Sequence, residues 1–244
     1  MVPSDGIELD SGWTNSCTKR SVRHVVFLDG KMPLTETTSI TEKYRERCED
    51  RVDVFHTDGR TVIVVADGAG GIGSGDLAAK SIVRQVKSNF ETIHSADEWA
   101  NFLRQIDKEI SAGESTAVVV DIRPYGIAGA SVGDSQAWII MGDQITNLTN
   151  NQIRKPLIGS GEAQPLGFTH KPLNGLMIAA TDGFFDYAKR DDITRLVNQT
   201  EFFQIPRKCI ELVRLPSGDM WDDVGVVACR NKLSQHQTRT KYEI

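Results

Sequence analysis

The stretch from Thr61 to Gly75 constrains this chain more than any other: Thr61-Val62-Ile63-Val64-Val65-Ala66 runs apolar and β-branched into the carboxylate of Asp67, then into Gly68-Ala69-Gly70-Gly71-Ile72-Gly73-Ser74-Gly75. The apolar half predicts a buried strand. Beyond Asp67 the glycines permit backbone conformations and close approaches that a Cβ would block. The chain is therefore able to wrap tightly around something held by that carboxylate, which we read as a metal ion. Leu77, Ile82, Val83 and Val86 follow at helical spacing and predict a helix from Asp76 to about Phe90.

Gly68 to Gly73 also satisfies G-x-G-x-x-G between a strand and a helix. A dinucleotide site needs a second strand closed by an acidic residue about 20 residues further on. Here Ser95-Ala96-Asp97-Glu98 opens another capped helix instead, carrying Trp99, Phe102, Leu103, Ile106 and Ile110 at helical spacing. Asp67 also places negative charge where a pyrophosphate would lie. The glycine pattern alone is a weak signal, and its surroundings disfavour a dinucleotide.

The chain has 244 residues, 39% hydrophobic and 25% charged, enough for one large domain with a sizeable core. Its net charge of -5 argues against a general nucleic-acid or membrane-surface binder, because neither polyanion attracts an acidic protein nonspecifically. Cys17, Cys48, Cys209 and Cys229 form no C-x-x-C pair, which fits reduced packing thiols better than a zinc site or a disulfide frame. No apolar run approaches membrane-spanning length, and the N-terminus lacks the pattern of an export signal, so a cytoplasmic protein is expected.

Val25 to Leu28 reads as a short strand before an Asp29-Gly30 turn, and Asp58-Gly59 between β-rich runs reads as a hairpin. Such a hairpin lays Glu49 and Asp50 near Asp67, although on its own the segment Glu49-Asp50-Arg51 reads more readily as a solvated charge cluster. From Gly113 the texture turns to strands, over 115–122, 126–141 and 144–148, suggesting an antiparallel meander. Residues 149–172 form a polar connection. Gly175 to Thr181 is a further strand ending in Asp182-Gly183, helical segments follow around 184–197 and 207–215, and Trp221-Asp222-Asp223 opens a last strand, 224–229.

Asp50, Asp67, Asp134, Asp182 and Asp222 thus each lie at the boundary of an apolar strand. A single Asp-Gly pair is usually a turn, but recurrence changes the reading. In a sheet whose strand ends meet at one edge these carboxylates converge, and cations must offset their repulsion. All-oxygen ligation without His or Cys suits Mg2+ or Mn2+. A pair of such ions can lower the pKa of a bridging water and stabilise a phosphoryl group during in-line attack, so phosphate ester hydrolysis is the natural chemistry. Arg45, just before Glu49-Asp50, is placed to grip phosphate.

The ordered set Arg45-x-x-x-Glu49-Asp50, Asp67-Gly68-x-Gly70-Gly71, Gly113-x-Ser115-Thr116-Ala117, Gly133-Asp134-Ser135, Asp182-Gly183-Phe184-Phe185-Asp186 and Asp222-Asp223 resembles the PP2C-type metal-dependent protein phosphatases over roughly Ile40 to Arg230. The resemblance implies an α+β fold, an α-β-β-α sandwich of two antiparallel sheets flanked by helices. It implies dephosphorylation of phosphoserine and phosphothreonine by a water or hydroxide bridging a binuclear Mn2+/Mg2+ centre. Phosphoprotein substrates and a cognate serine/threonine kinase are the implied partners. By position, Asp67 would bridge both ions with the Gly68 carbonyl on one of them, Asp50 would hold bound water or contact the ions, Asp182 and Asp222 would ligate the other ion, and Arg45 would bind phosphate. Asp134 with Asp182 resembles the pair that takes a third, weaker ion, while Glu49, Gly70, Gly71 and Gly183 support the site.

Ala69 stands where many relatives carry a histidine, which implies that leaving-group protonation falls to metal-bound water. Asn150-Asn151-Gln152 and Gln136 replace an Asp-His pair and an arginine of the family pattern, and the flap-like region is short. The implied division is an extension over 1–39 packing on a phosphatase domain over 40–230, with a polar tail over 231–244. A catalytically silent phosphoprotein-binding or regulatory module of the same fold is the alternative.

Overall fold

In the computed structural model, which describes residues 22–24, 35–44, 46–57, 59–69 and 74–232, β1 (Val22–His24) pairs antiparallel with β2 (Thr35–Glu42). The expected strand at Val25–Leu28 lies outside the described residues. β3 (Arg51–Thr57) and β4 (Arg60–Ala66) form the expected hairpin with Thr57 opposite Arg60. Gly59 holds φ +69° there, a left-handed value that its missing Cβ allows without strain.

After β4 come the two-residue β5 (Gly68–Ala69) and two helices, α1 (Gly75–Asn89) and α2 (Ala96–Glu109). The cap foreseen at Ser95 is a complete capping box: Glu98 N donates to Ser95 Oγ at 3.2 Å, and Ser95 N donates to Glu98 Oε2 at 3.1 Å. On α1 the buried stripe is Ala78, Ala79, Ile82, Val83 and Val86; Leu77, expected on that stripe, is 55% exposed. Ala78 and Ala79, both fully buried, take the places on that stripe next to Leu77 in sequence.

β6 (Glu114–Ser115) pairs with β5, and β7 (Ala117–Arg123) and β8 (Gly126–Val132) follow as a hairpin. β9 (Gln136–Met141) and β10 (Gln144–Asn147) form another. The expected continuous meander is broken between them: β8 belongs to one sheet and β9 to the other. Gly133 turns the corner at φ +104°, where a Cβ would come 2.6 Å from the Thr116 side chain. Alternation and turn residues mark where strands end, while the choice of partner strand is non-local.

The connection 149–172 contains an unforeseen strand, β11 (Leu166–His170), on the edge beside β8. It is largely exposed and has no apolar alternation to announce it. The chain ends with β12 (Leu176–Ala180), the short α3 (Asp182–Phe185), α4 (Arg190–Gln199), α5 (Ile205–Val213) and β13 (Val224–Asn231).

Two antiparallel sheets result, in the orders β1-β2-β13-β12-β9-β10 and β11-β8-β7-β4-β3. Side-chain alternation assigns their faces. Ile63 and Val65 of β4 pack with Met177, Ala179 and Val227 between the sheets. Val62, Val64 and Ala66 pack outward under Ile82, Trp99 and Leu103 of α1 and α2. On the other side Ile178, Val224 and Val226 meet Phe184, Ile205 and Ile210 of the C-terminal helices. Helices, sheet, sheet and helices form four layers, and β4 is buried throughout, apolar from Val62 to Ala66, because both of its faces are covered. Among the described residues no helix is long and apolar enough to cross a membrane.

Candidate metal centre

Asp67 leaves β4 with its backbone held at three points. Its N–H donates to Thr116 Oγ1 at 3.0 Å, and its carbonyl accepts from Thr116 N at 2.8 Å and from Ser115 Oγ at 2.9 Å. The Thr116 and Ser135 hydroxyls lie 2.7 Å apart, which links this anchor to the segment bearing Asp134. Gly68 is required by packing: a Cβ there would stand 2.4 Å from the backbone of Gly75 at the start of α1.

The hairpin register Arg51 opposite Ala66 brings Asp50 beside Asp67. Asp134 sits at the crossing from β8 to β9, and Asp182 opens α3 directly after β12. Carboxylate oxygens of Asp67, Asp134 and Asp182 lie within 4.8 Å of one another. The carboxylates therefore come from the strand ends of both sheets and the crossover between them, and not from one edge of one sheet as expected. A seam between sheets gathers groups that a single flat edge would spread apart at the inter-strand spacing.

Asp50 is buried, and the Thr181 hydroxyl donates to its Oδ2 at 2.7 Å while accepting from Gly225 N at 2.9 Å. Burial pushes the Asp50 carboxyl well above its usual range, against the pull of that hydrogen bond. Burial and then the charges of Asp50 and Asp182 push Asp67 up to about 11. Asp182 rises to about 6, through burial and then the charge of Asp134. Glu49 is raised by burial and by Asp223. Among the described residues Arg154 meets Asp134, its Nη2 lying 3.0 Å from Asp134 Oδ2 on a largely exposed side chain.

Asp222 is exposed, and its charge acts on both Asp67 and Asp182. Its Oδ1 accepts from Asp223 N at 2.8 Å. Asp223 itself clamps the segment before β3, its Oδ1 accepting from Tyr44 N at 2.7 Å and its Oδ2 from Glu49 N at 2.6 Å. Gly183 is buried against the Asp223 carbonyl, 2.0 Å from where a Cβ would sit. Arg45, Gly70 and Gly71 lie outside the described residues. Ala69 lines an open cleft of about 380 Å³ with Gly113, Glu114 and Gly159.

Sequence reasoning quoted Thr116 and Ser135 as members of the motif set without giving them a role, and it missed Thr181 and Arg154 as site residues. For Thr181 the one signal was that it directly precedes Asp182. Cys48, Cys209 and Cys229 are buried, Cys17 lies outside the described residues, and burial pushes the Cys229 thiol up to about 12, as a packing thiol would show.

The donor set fits a hard cation. It is all oxygen, burial and then mutual charge raise its members' pKa values, and the Arg154 guanidinium meets a single carboxylate.

Comparison with known proteins agrees in fold. The sequence profile of the family described as Protein phosphatase 2C matches residues 41–215. The serine/threonine phosphatase Stp of Listeria innocua is 25% identical over 157 residues, covering 57% of this chain and 62% of the relative; the chain thus matches less than two thirds of that protein's length. The serine/threonine phosphatase of S. agalactiae superposes with a TM-score of 0.71 at 18% identity, covering 81% of this chain and 100% of the other. The catalytic domain of the serine/threonine phosphatase PstP, solved with two manganese ions, superposes with a TM-score of 0.68 at 15% identity, covering 80% and 97%.

Proposed function

This chain belongs to the protein phosphatase 2C family, and from that premise we propose that it hydrolyses phosphoserine and phosphothreonine in phosphoproteins, using two Mn2+ or Mg2+ ions. The observation that carries this reading is the convergence of Asp67, Asp134 and Asp182 within 4.8 Å, with Asp50 buried beside them. So many carboxylates at one seam repel one another, and the fold keeps them where divalent ions would offset that cost.

Asp67, the Gly68 carbonyl, Asp182 and Asp222 are the groups that would hold the two ions, with Asp50 orienting their surroundings and Asp134 serving a third, weaker ion beside Asp182. When bound, such ions supply an activated water and neutralise charge developing on the phosphoryl group. The chain's own residues supply position. Thr181 keeps an Asp50 oxygen aimed, and Thr116 and Ser115 fix the backbone that carries Asp67. Arg45 is assigned to the phosphate by its place in the motif. Arg154, on a largely exposed side chain, can move between Asp134 and an incoming phosphate.

The phosphatase domain is assigned to residues 40–230, with a cytoplasmic location and the substrates of a serine/threonine kinase as targets. Hydrolysis of a phosphothreonine peptide by metal-stripped protein, with Mn2+ or Mg2+ added back and Asp67→Asn alongside, tests the reading. Turnover restored by metal and lost in the variant is expected. Folded protein that binds the peptide but shows no turnover with either metal would instead establish the silent binding module.

A further inference from the structure

Trp221 and Tyr187 stack with ring centroids 6.1 Å apart and planes 13° apart, yet the residues remain 57% and 46% exposed. The pair joins two distant segments at the rim of the carboxylate centre. Trp221 directly precedes Asp222, and Tyr187 directly follows Asp186 at the end of α3. The charges of Asp222, Asp182 and Asp186 all act on the Tyr187 hydroxyl, which places the shelf in the field of that centre. Tyr44, 42% exposed, is tied by its backbone N–H to Asp223 on the other side of Asp222.

We propose that the Trp221–Tyr187 shelf receives a lysine or arginine side chain flanking the phosphorylated residue of the substrate. The inference rests on the phosphatase reading and names the substrate feature that reading leaves open. Aromatic faces attract a cation lying within about 6 Å of the ring centroid, tryptophan most strongly. The surrounding carboxylates complement the same charge and repel an acidic neighbour. Asp186 lies outside the Asp67–Asp134–Asp182 group, so its charge remains when ions neutralise that group. An extended peptide advances about 3.3 Å per residue, so a side chain one to three positions from the phosphorylated residue reaches the rim.

The test uses the full chain with Mn2+ and three phosphothreonine peptides that differ only in carrying Arg, Leu or Glu at the flanking positions, with p-nitrophenyl phosphate as a substrate that has no flank. The Arg peptide is expected to exceed the Leu peptide by about two- to fivefold in kcat/KM, the size of an exposed cation–π contact, with the Glu peptide lowest. That preference should vanish in Trp221→Leu and persist in Trp221→Phe, with Tyr187→Leu weakening it, while p-nitrophenyl phosphate turnover reports that each variant is folded. Equal rates for Arg and Leu peptides, or a preference surviving Trp221→Leu, would overturn the shelf and leave the phosphatase standing. No hydrolysis of any substrate by the native chain would overturn the phosphatase reading itself and the shelf with it.

Discussion

Thr181 and Asp50, 131 positions apart, are joined by a hydrogen bond of 2.7 Å in which the Thr181 hydroxyl donates to Oδ2. Thr181 lies between β12 and Asp182, and Asp50 directly precedes β3, the strand paired with the one that leads to Asp67, so this contact ties the two sheets together at the candidate metal centre. Its second partner, Gly225 N, belongs to β13.

Thr181→Val keeps the shape and removes both hydrogen bonds. It takes one hydrogen bond from the buried Asp50 carboxyl and the hydroxyl acceptor from the buried Gly225 N–H, at about 1–3 kcal/mol for each unsatisfied group. Loss of an orienting partner should weaken Mn2+ binding about 10- to 100-fold. Denaturant unfolding and calorimetric titration with Mn2+ measure the two effects separately.

Metal removal should expose a pH dependence of definite sign. The folded-state carboxyls of Asp67, Asp182 and Asp50 are raised above their unfolded values, so the folded protein binds more protons than the unfolded chain. Their stabilising contribution is complete below the ordinary carboxylate range. It is lost as pH rises, first through about 6 for Asp182 and then towards about 11 for Asp67. Metal-free protein should therefore melt at a lower temperature at pH 8 than at pH 5, and added Mn2+ should raise the melting temperature more at pH 8. Thermal melts in chelator, with and without excess Mn2+, check both.

Gly68→Ala places a Cβ 2.4 Å from the Gly75 backbone. Backbone cannot yield as a flexible side chain does, so β5 must part from α1, at about 1–3 kcal/mol of overpacking. Because the Gly68 carbonyl is one of the groups assigned to the ions, Mn2+ affinity should fall with stability. Thermal melts and Mn2+ titration of the same preparation decide it; unchanged affinity would remove Gly68 from the ion-binding groups.

Asp121 provides the contrast. Fully buried on β7, it accepts from Arg60 Nε at 2.8 Å, from Arg60 Nη2 and Arg123 Nη2 at 2.7 Å each and from Trp99 Nε1 at 3.2 Å. Asp121→Asn leaves two guanidinium groups without their counter-charge and should cost about 3–5 kcal/mol. Activity per folded molecule should stay unchanged, since none of these groups belongs to the candidate metal centre. Unfolding curves set against phosphatase rates at low temperature test the separation.

Local chemistry was legible in the sequence. The β4 strand, the Asp58-Gly59 hairpin, the Ser95 cap and the habit of placing an aspartate where an apolar strand stops depend on neighbours a few positions away, and residue order alone expresses them. The resemblance of that ordered set of motifs to a known family supplied the two-sheet layering. What tertiary structure alone decided is which strand pairs with which and which side chains complete the site. β8 and β9 separate into different sheets although a short turn joins them, β11 takes an edge with no apolar pattern, and Thr181, Thr116 and Arg154 acquire roles from partners 131, 49 and 20 positions away. Local propensity acts over a turn of helix or a hairpin. Packing one sheet face against another selects among pairings that look alike locally, because its free energy comes from burying surfaces contributed by the whole chain.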